Sequence, residues 1–397
     1  MKKLAETEAV KAAILGTFVA DASGLGVHWI YSQGKIAQIA KAHEGEVEFL
    51  DPEAGNYEGA PSFFAHPHRR AGDSSNYGEY LYVLLRSISD DGFDVGSYVR
   101  IFQEYFGVGG EYVGYADTPM RETIFNVARL GKDVYRRALS AESSLDEKKQ
   151  RFAAHYISHY FFESDTEGLR RQVRTPLKLQ QWKREELEEA DRLVELVKTD
   201  LGAIGPEDDQ MPALSRSAVL AWFYQGDELD QVVERAVRIT NNDDDAVAYS
   251  RFFARMMRDI YQEGPRQPAE VEGVLRRLTE KYLSILSEPS RELVRKALEY
   301  PELDYRRATK TFGAACHVHM AVPLTLHILL KTSSFAEAVR INNRSSGDNC
   351  GRAVMLGALA GALYGTGGVA GIPRLWIDRT ATIRRARATE GGALLLG

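Results

Sequence analysis

The chain has 397 residues, of which 44% are hydrophobic and 27% are charged, and its formal net charge is -6. These values are typical of a globular protein with one large domain or two ordinary ones. The acidic balance argues against nonspecific nucleic-acid binding, which requires a basic face. Two cysteines, Cys316 and Cys350, cannot form a disulfide framework and suit a reducing cytosol. Because charges interrupt the apolar N-terminal segment, we predict no signal peptide and a cytoplasmic location.

Helical periodicity dominates the chain and predicts a mainly α-helical protein. Pro323 is expected to bend or end the helix in which it lies, and only two short patches, at 47–50 and 112–117, look like strands. The charged stretch at 163–212 is a candidate excursion, but nothing in it forces a boundary, so we predict one domain over 1–397. Helices are predicted over residues 9–22, 79–89, 119–130, 146–162, 215–225, 246–262, 271–286, 309–331 and 350–364.

The first and last long helices both carry small residues at every fourth position. Residues 353–373 are uncharged and long enough to span a bilayer, but their Gly and Ala content favours a closely packed, buried helix. If the two helices pack antiparallel, Asp21 on the first helix meets Asp348 at the start of the last. The small residues are Ala12, Gly16, Ala20 and Gly24 in the first helix and Gly357, Gly361 and Gly365 in the last.

Three polar constellations accompany these helices. The stretch "AGDSSNYGEYLYVLL", residues 71–85, places carboxylate, hydroxyl, amide and phenol groups just before an apolar helix. Asp348 and Asn349 begin the last helix, either as N-caps or as ligands of a cation or substrate. Asp21 lies in a small, apolar stretch, where a carboxylate is costly unless it is paired or ligating, although it also suits a helix-ending turn. His28 and Trp29 follow it closely.

Several other polar groups allow two interpretations. Arg69 and Arg70 suit a pyrophosphate or simply a solvated basic loop, and Arg352 is a second candidate phosphate partner. His155 and His159 have the i, i+4 spacing that can bind zinc but lack the Glu of a metalloprotease, so an ordinary helix face is favoured. The histidines at 317, 319 and 327 meet no ligand spacing, so packed or capped histidines are favoured there. The acidic run at 242–244 is predicted to cap the following helix.

Three stretches, in order, resemble the ADP-ribosylglycohydrolase (DraG-like) superfamily, particularly its crystallin-related branch. "LGTFVADASGLG" resembles the family's opening helix, "AGDSSNYGEY" lies where the family has Gly followed by "TDDT", and "SSGDNCGRAVMLGALAGALYG" resembles its closing motif. "GIPRLW" matches the usual sequel, and residues 208–222 resemble a mid-chain helix near the ligand cleft. The resemblance covers about residues 10 to 376.

The resemblance implies an all-α orthogonal multi-helix bundle with a cleft that holds two Mg²⁺ ions. Family members cleave the glycosidic bond that joins ADP-ribose to a side chain or a small molecule. Two hard cations require several carboxylate and hydroxyl oxygens, which orient the ribose diol and polarise a water. The implied partner is therefore small-molecule or protein-linked ADP-ribose, and neither a nucleic acid nor a membrane is expected.

Carried over position by position, the metal motifs are altered. Ser75, Asn76 and Tyr77 stand where the first motif has Thr, Asp and Asp, and Gly78 stands at its final Thr. In the last motif only Asp348 keeps its carboxylate. Cys350 and Gly351 stand at the second Asp and the Thr, while Asp73 and Glu79 lie nearby but out of register. The loss of negative charge is expected to weaken a dinuclear Mg²⁺ site severely.

The resemblance implies a site built from the two polar loops. Asp21 and Asp348 are the candidate catalytic residues, and Asp348, Ser75 and Asn76 are the candidate metal ligands. We predict a hydrolase of an ADP-ribosyl or related glycosidic bond with a degenerate Mg²⁺ site. The alternatives are a non-catalytic binder of ADP-ribose or a nucleotide, and a structural, crystallin-like protein. The candidate substrate-binding residues are Ser75, Asn76, Tyr77, Asn349 and Arg352.

Overall fold

A computed structural model describes residues 8–140, 199–300 and 302–397, together with Leu4, Glu147, Glu185 and Glu188. Within these residues the protein is built from helices and turns, with isolated β-bridges but no β-strand. The strand-like patches at 47–50 and 112–117 are turns and loops, because their alternation is too short to pair with a neighbouring strand. The all-α class predicted from the sequence is confirmed.

The helices are numbered here in chain order over the described residues. Short 3₁₀ turns at 25–27, 54–57, 211–216 and 283–285 connect or extend some of them. The helices are α1 (Glu8–Gly24), α2 (Gln33–Ala42), α3 (Asn76–Ser87), α4 (Val95–Phe106), α5 (Thr118–Ser140), α6 (Ser217–Phe223), α7 (Gly226–Arg238), α8 (Asp244–Glu263), α9 (Pro268–Tyr282), α10 (Glu288–Glu299), α11 (Tyr305–Phe312), α12 (Val318–Leu330), α13 (Phe335–Arg344), α14 (Asn349–Tyr364), α15 (Arg374–Arg379), α16 (Ala381–Arg387) and α17 (Glu390–Leu396).

The single helix predicted over 309–331 is wrong. The segment 309–331 is two helices, because Gly313 ends α11 with a φ of +97°, a conformation that favours glycine. Pro323 lies inside α12 rather than at its end. The predicted helix at 146–162 and most of the charged stretch at 163–212 fall outside the described residues.

The antiparallel packing predicted for the first and last long helices is confirmed. A Cβ atom on Gly357 would overlap the carbonyl oxygen of Gly16, and a Cβ on Gly361 would overlap that of Ala12, so the two backbones touch. At the other end of the pair, the Cys350 thiol lies 3.5 Å from the carbonyl oxygen of Asp21. Glycine is therefore required at these positions for the close approach of the two helices.

This helix pair forms the centre of the main core. Every residue of α14 is buried, which confirms the prediction for the part of 353–373 that it covers. Residues 8–27 are long and apolar enough to cross a membrane, but 94% of their most apolar window is buried inside the protein, as in a core helix. One cluster of buried apolar side chains extends from Ala9 to Leu396. The single domain over 1–397 stays a prediction.

Candidate functional site

The last polar loop delivers Asp348 to the start of α14, where it is the N-cap. Its Oδ1 accepts a hydrogen bond from the backbone N–H of Gly351 at 3.1 Å. The same oxygen lies 2.8 Å from Nε2 of His28, and Oδ2 accepts from the Tyr77 hydroxyl at 2.9 Å. Asp348 is fully buried, so these three donors replace the water that its carboxylate would otherwise bind. Asp348 is therefore the N-cap of α14 and also accepts hydrogen bonds from residues distant in the sequence.

A second histidine extends this centre. Nδ1 of His28 lies 2.7 Å from Nε2 of His66, and both rings are buried. Burial lowers the pKa of His66 well below its usual value, and the charge of Arg69 acts in the same direction, which favours the neutral ring. Asp348, His28 and His66 therefore form a hydrogen-bonded chain, which we call the Asp348 relay. Nδ1 of His66 ends it without a hydrogen-bond partner.

Asp21, the other candidate catalytic residue, binds the start of α3 through its carboxylate. It accepts hydrogen bonds from the backbone N–H of Ser75, at 2.9 Å, and from the Ser75 hydroxyl. A Cβ atom on Gly78 would overlap Asp21 Oδ2, so glycine permits this contact. Burial raises the pKa of Asp21 to about 7, partly offset by the Ser75 hydrogen bonds. Ser75 is thus both the N-cap of α3 and the anchor of Asp21.

Asn76 binds a third buried carboxylate, which the sequence did not identify. Its Nδ2 donates to Asp117 Oδ2 at 2.7 Å, while Asp117 Oδ1 accepts from the Tyr80 hydroxyl and from Met120 N, each at 2.8 Å. Burial raises the pKa of Asp117 above its usual value. The amide oxygen of Asn76 has no partner. Asn76 therefore links α3 to the start of α5.

Asn349 and Arg352 hold the polar loop in place. Asn349 Nδ2 donates to the carbonyl oxygen of Gly24 at 2.9 Å. Arg352, fully buried, donates to the side chain of Asn342 at 2.8 Å and to the carbonyl of Ser346 at 2.6 Å. These contacts favour a role in supporting the loop over direct contact with a phosphate. That Asn349 and Arg352 bind substrate stays a prediction.

A further, partly exposed carboxylate orients two histidines, and we call this group the Asp209 centre. Asp209 Oδ1 is 2.6 Å from Nδ1 of His317, and Oδ2 is 3.3 Å from Nδ1 of His319. The two histidine side chains are 42% and 37% exposed. Neighbouring Asp208 has a pKa raised to about 6, mainly by burial. The third histidine of this segment, His327, is separate and binds the carbonyl of Leu303 at 3.0 Å.

Short backbone contacts join the two centres. Asp348 N donates to the carbonyl of Ala314 at 2.8 Å, and Val318 N donates to the carbonyl of Asp209 at 2.9 Å. Ala314 and Val318 are four positions apart in the chain, so these two anchors lie within about 14 Å of each other. Cys316 lies between them, and burial together with the charges of Asp348, Asp208 and Asp209 raises the pKa of its thiol. Both centres are therefore anchored to the same short segment, 314–318.

Three aromatic rings pack together beside the Asp348 relay, and we call Trp29, Phe63 and Tyr115 the aromatic wall. The ring of Trp29 packs edge-on to Tyr115 at 4.8 Å between centroids, and Phe63 lies 5.6 Å from Tyr115. Phe63 is 53% exposed, and nearby Tyr31 is 41% exposed. Burial, followed by the charge of Asp348, raises the pKa of Tyr31.

Backbone strain surrounds the Asp348 relay. Trp29 and Ser346 both adopt positive φ, of 61° and 68°, a conformation that is uncommon for residues with side chains and clusters at functional sites. The two segments are tied together because Trp29 N donates to the carbonyl of Gly347 at 2.9 Å and Gly347 N donates to that of Ile30 at 2.8 Å. This pairing fixes His28 against Asp348.

The predicted metal ligands do not fit a dinuclear Mg²⁺ site. Asp348 is the only carboxylate among Asp348, Ser75 and Asn76, and protein donors bind both of its oxygens. Within the described ranges, no group of three or more His, Cys, Asp or Glu side chains is arranged to hold a metal. A hard dication requires several oxygens free to coordinate it.

The two carboxylates out of register do not restore such a site. Glu79 is fully buried between Arg385, at 2.8 Å, and Arg69, at 3.3 Å, and it also accepts from the Tyr105 hydroxyl. Asp73 accepts from the backbone N–H of Arg70 at 2.9 Å. The ion pair with Glu79 also engages Arg69, one of the two arginines considered for pyrophosphate binding.

Sequence reasoning missed most of the partners in these centres. His28 and His66 are 38 residues apart, and Asp209 and His317 are 108 residues apart, so no local spacing links them. Two patterns could have indicated these centres. Asp21, in an apolar stretch, is followed closely by His28, and Asp208 and Asp209 lie in a stretch that resembles a helix near the ligand cleft. Tyr77 was identified, but its bond to Asp348 was not.

Comparisons with known proteins agree with this architecture. The ADP-ribosylglycohydrolase family matches residues 3–394. Crystallin J1A of Tripedalia cystophora is 25% identical over 373 residues, which cover 94% of this chain and 91% of that protein; crystallin J1B of the same organism is 24% identical, with coverage of 93% and 91%. A solved structure described as an ADP-ribosylglycohydrolase-related protein complex shares the fold, with a TM-score of 0.52, 16% identity and 98% coverage of both chains. This chain belongs to the ADP-ribosylglycohydrolase family.

Proposed function

We propose that this protein binds the ADP-ribosyl group of a small molecule or a modified protein in its cleft, without Mg²⁺. The observation that carries the proposal is the state of the carboxylates at the metal-motif positions. Asp348 is bound by Tyr77 and His28, and Asp21 by Ser75, so protein donors occupy the oxygens that cations would need. The substitutions in the motifs thus build an alternative hydrogen-bond network.

The shape and chemistry of the cleft support this ligand class. The aromatic wall offers ring faces, of which Phe63 is half exposed, to a base or a sugar. The Asp209 centre offers carboxylate and imidazole groups to hydroxyls. Membership of the family favours ADP-ribose as the ligand that combines these features.

Calorimetric titration with ADP-ribose in EDTA tests the proposal. We expect saturable binding, unchanged when Mg²⁺ replaces EDTA. Phe63→Ala should weaken binding about tenfold or more, because stacking on an aromatic ring contributes about 1–3 kcal/mol per base. Phe125→Ala, which removes a 67% exposed ring of α5, is the matched control. Binding that appears only with Mg²⁺, or no binding at all, would contradict the proposal.

Hydrolysis of an ADP-ribosyl bond is a second candidate, and the Asp209 centre favours it. A carboxylate that orients one ring nitrogen of a solvent-exposed histidine leaves the other free to take a proton from water. His317 has this arrangement, with Nδ1 on Asp209. The candidate catalytic roles of Asp21 and Asp348 would then be to position groups around the reaction rather than to bind metal.

The hydrolase candidate is tested by following release of ADP-ribose from ADP-ribosylated peptides in EDTA. His317→Ala should reduce turnover about 100-fold or more, since general-base catalysis contributes roughly that much, while ADP-ribose still binds. A Ser75→Ala, Asp348→Ala double variant with unchanged turnover would remove the loop residues from the mechanism. Absence of both turnover and ADP-ribose binding would favour a structural role, to which the names of the two crystallin relatives point.

The cellular setting belongs to the same proposal. Cys316 and Cys350 are both free thiols, which suits a reducing cytosol. The acidic net charge supports a partner other than nucleic acid, and the buried state of the apolar helices supports a protein that works away from the membrane. Fractionation of cells that express a tagged protein tests the location.

A further inference from the structure

The Asp348 relay ends in a nitrogen that lacks a hydrogen-bond partner. The direction of the hydrogen bonds along the relay indicates whether that nitrogen donates or accepts. Three donors point at Asp348, so its carboxylate acts only as an acceptor and His28 Nε2 carries a proton. With that one proton on Nε2, we assign Nδ1 of His28 as the acceptor and His66 Nε2, 2.7 Å away, as the donor. His66 Nδ1 is left as a bare lone pair.

A second unpartnered atom lies beside it. The indole Nε1–H of Trp29 is buried and has no acceptor. The rings of Trp29 and His66 are stacked, with 6.4 Å between centroids and an interplanar angle of 18°. Trp29 also belongs to the aromatic wall, so an unpartnered donor and an unpartnered acceptor lie on two stacked rings. Buried polar groups in folded proteins nearly always have partners, so two adjacent exceptions indicate a site for another molecule.

We propose that His66 and Trp29 are specificity-determining residues that bind neighbouring hydroxyls of a ribose. This inference rests on the proposed ADP-ribosyl ligand and names the protein atoms that recognise its sugar. A sugar diol both donates and accepts, so one hydroxyl donates to His66 Nδ1 while its neighbour accepts from Trp29 Nε1. Asp348 acts here as a positioning residue, because it fixes the His28 tautomer and, through it, that of His66.

The proposed sugar-binding atoms of His66 and Trp29 are closed to solvent in this structure. Both unpartnered atoms are buried, His66 being 1% and Trp29 7% exposed. The sugar therefore reaches them when side chains at the cleft edge shift, and the half-exposed ring of Phe63, packed against Trp29 at 5.8 Å, is placed to do so. Rearrangement of side chains is common at binding surfaces.

Nitrogen NMR of the full chain with ¹⁵N-labelled histidine tests the proposal directly. In the free protein, we expect His66 Nδ1 to resonate as an unprotonated nitrogen and Nε2 as a protonated one. Addition of ADP-ribose should shift the Nδ1 resonance towards the position of a hydrogen-bonded acceptor. His43, an exposed histidine after α2, serves as the internal control and should not shift.

Variants provide an independent readout by calorimetry with ADP-ribose. His66→Leu and Trp29→Phe should each raise the Kd at least tenfold, His66→Asn should recover part of the loss because its amide oxygen can stand near the Nδ1 position, and His43→Leu should have no effect. If the wild-type protein binds ADP-ribose while Nδ1 stays unshifted and the variants bind normally, this inference is wrong and the proposed function stands. A buried water at Nδ1 would give that result. If the wild-type protein does not bind ADP-ribose, both are wrong.

Discussion

The Asp348 relay and the Asp209 centre are both carboxylates that hold histidines, yet they differ in burial. Asp348, His28 and His66 are at most 1% exposed. Asp209 is 27% exposed, and its two histidines are 42% and 37% exposed. The same pair of side-chain types therefore occurs once inside the protein and once at its surface.

The difference separates two roles for the same chemistry. A buried carboxylate that loses a donor, or a buried donor that loses its carboxylate, keeps the full cost of desolvation. At a half-exposed site water replaces the lost partner, so the energetic cost is small. We therefore assign the Asp348 relay to stability, and we propose that it also positions a ligand while the Asp209 centre is the side open to proton transfer.

Removal of each carboxylate should give the largest difference in stability between the two sites. Asp348→Ala leaves the Tyr77 hydroxyl, His28 Nε2 and Gly351 N without their acceptor and removes an N-cap. We expect the free energy of unfolding to fall by about 3–5 kcal/mol. Asp209→Ala, the matched variant, should lower it by less than about 1 kcal/mol. Urea unfolding followed by circular dichroism measures both, and equal losses would contradict the contrast.

The pH dependence of stability should reveal a second buried carboxylate, Asp21. Its pKa is raised from 3.8 to about 7 in the folded protein, so the folded state binds more protons than the unfolded state between these values. Stability should therefore fall as pH rises from about 4 to 7, by a few kcal/mol, since one pKa unit corresponds to about 1.4 kcal/mol.

Two variants isolate that contribution. Asp21→Asn cannot ionise, so the part of the pH dependence that Asp21 causes should disappear between pH 4 and 7. Asp227→Asn changes a 99% exposed carboxylate and should leave the profile as it is. Urea midpoints measured across this pH range decide the matter, and an unaltered slope in Asp21→Asn would show that Asp21 ionises normally.

The smallest expected effect concerns the phenol that replaces a family carboxylate. Tyr77→Phe removes one donor from Asp348 Oδ2 and keeps the packing of the ring. We expect a loss of about 1–2 kcal/mol, because a buried acceptor is left unsatisfied. Tyr300→Phe, at a 43% exposed ring, should change stability by less than about 0.5 kcal/mol. Thermal unfolding compares the two, and equal values would mean that the Tyr77 bond contributes nothing.

The helix packing that positions the site could be predicted from the sequence. Small residues at every fourth position predicted the close contact of α1 with α14, and that contact brings the ends with Asp21 and Asp348 together. Asp243 likewise caps α8 as predicted, accepting from Ala246 N at 2.8 Å. These features depend on local spacing and backbone geometry, which a single sequence displays.

The chemistry of the cleft could not be predicted in the same way. The bonds of Tyr77 and His28 to Asp348 span 271 and 320 residues, so they exist only once the chain has folded. The break at Gly313 was missed because apolar periodicity continues on both sides of it, although the positive φ at that residue ends α11. Substitutions in the metal motifs indicated what was lost, whereas the structure shows the donors that took its place.

At the metal-motif positions, protein donors bind the carboxylate oxygens that cations would need. The most direct test is titration of the metal-free protein with Mn²⁺, a paramagnetic substitute for Mg²⁺, with the free ion followed by electron paramagnetic resonance. We predict no saturable binding below millimolar Mn²⁺, and the same result for Asp348→Asn. Saturable micromolar binding of one or two ions that Asp348→Asn abolishes would contradict the account and restore a metal-dependent site.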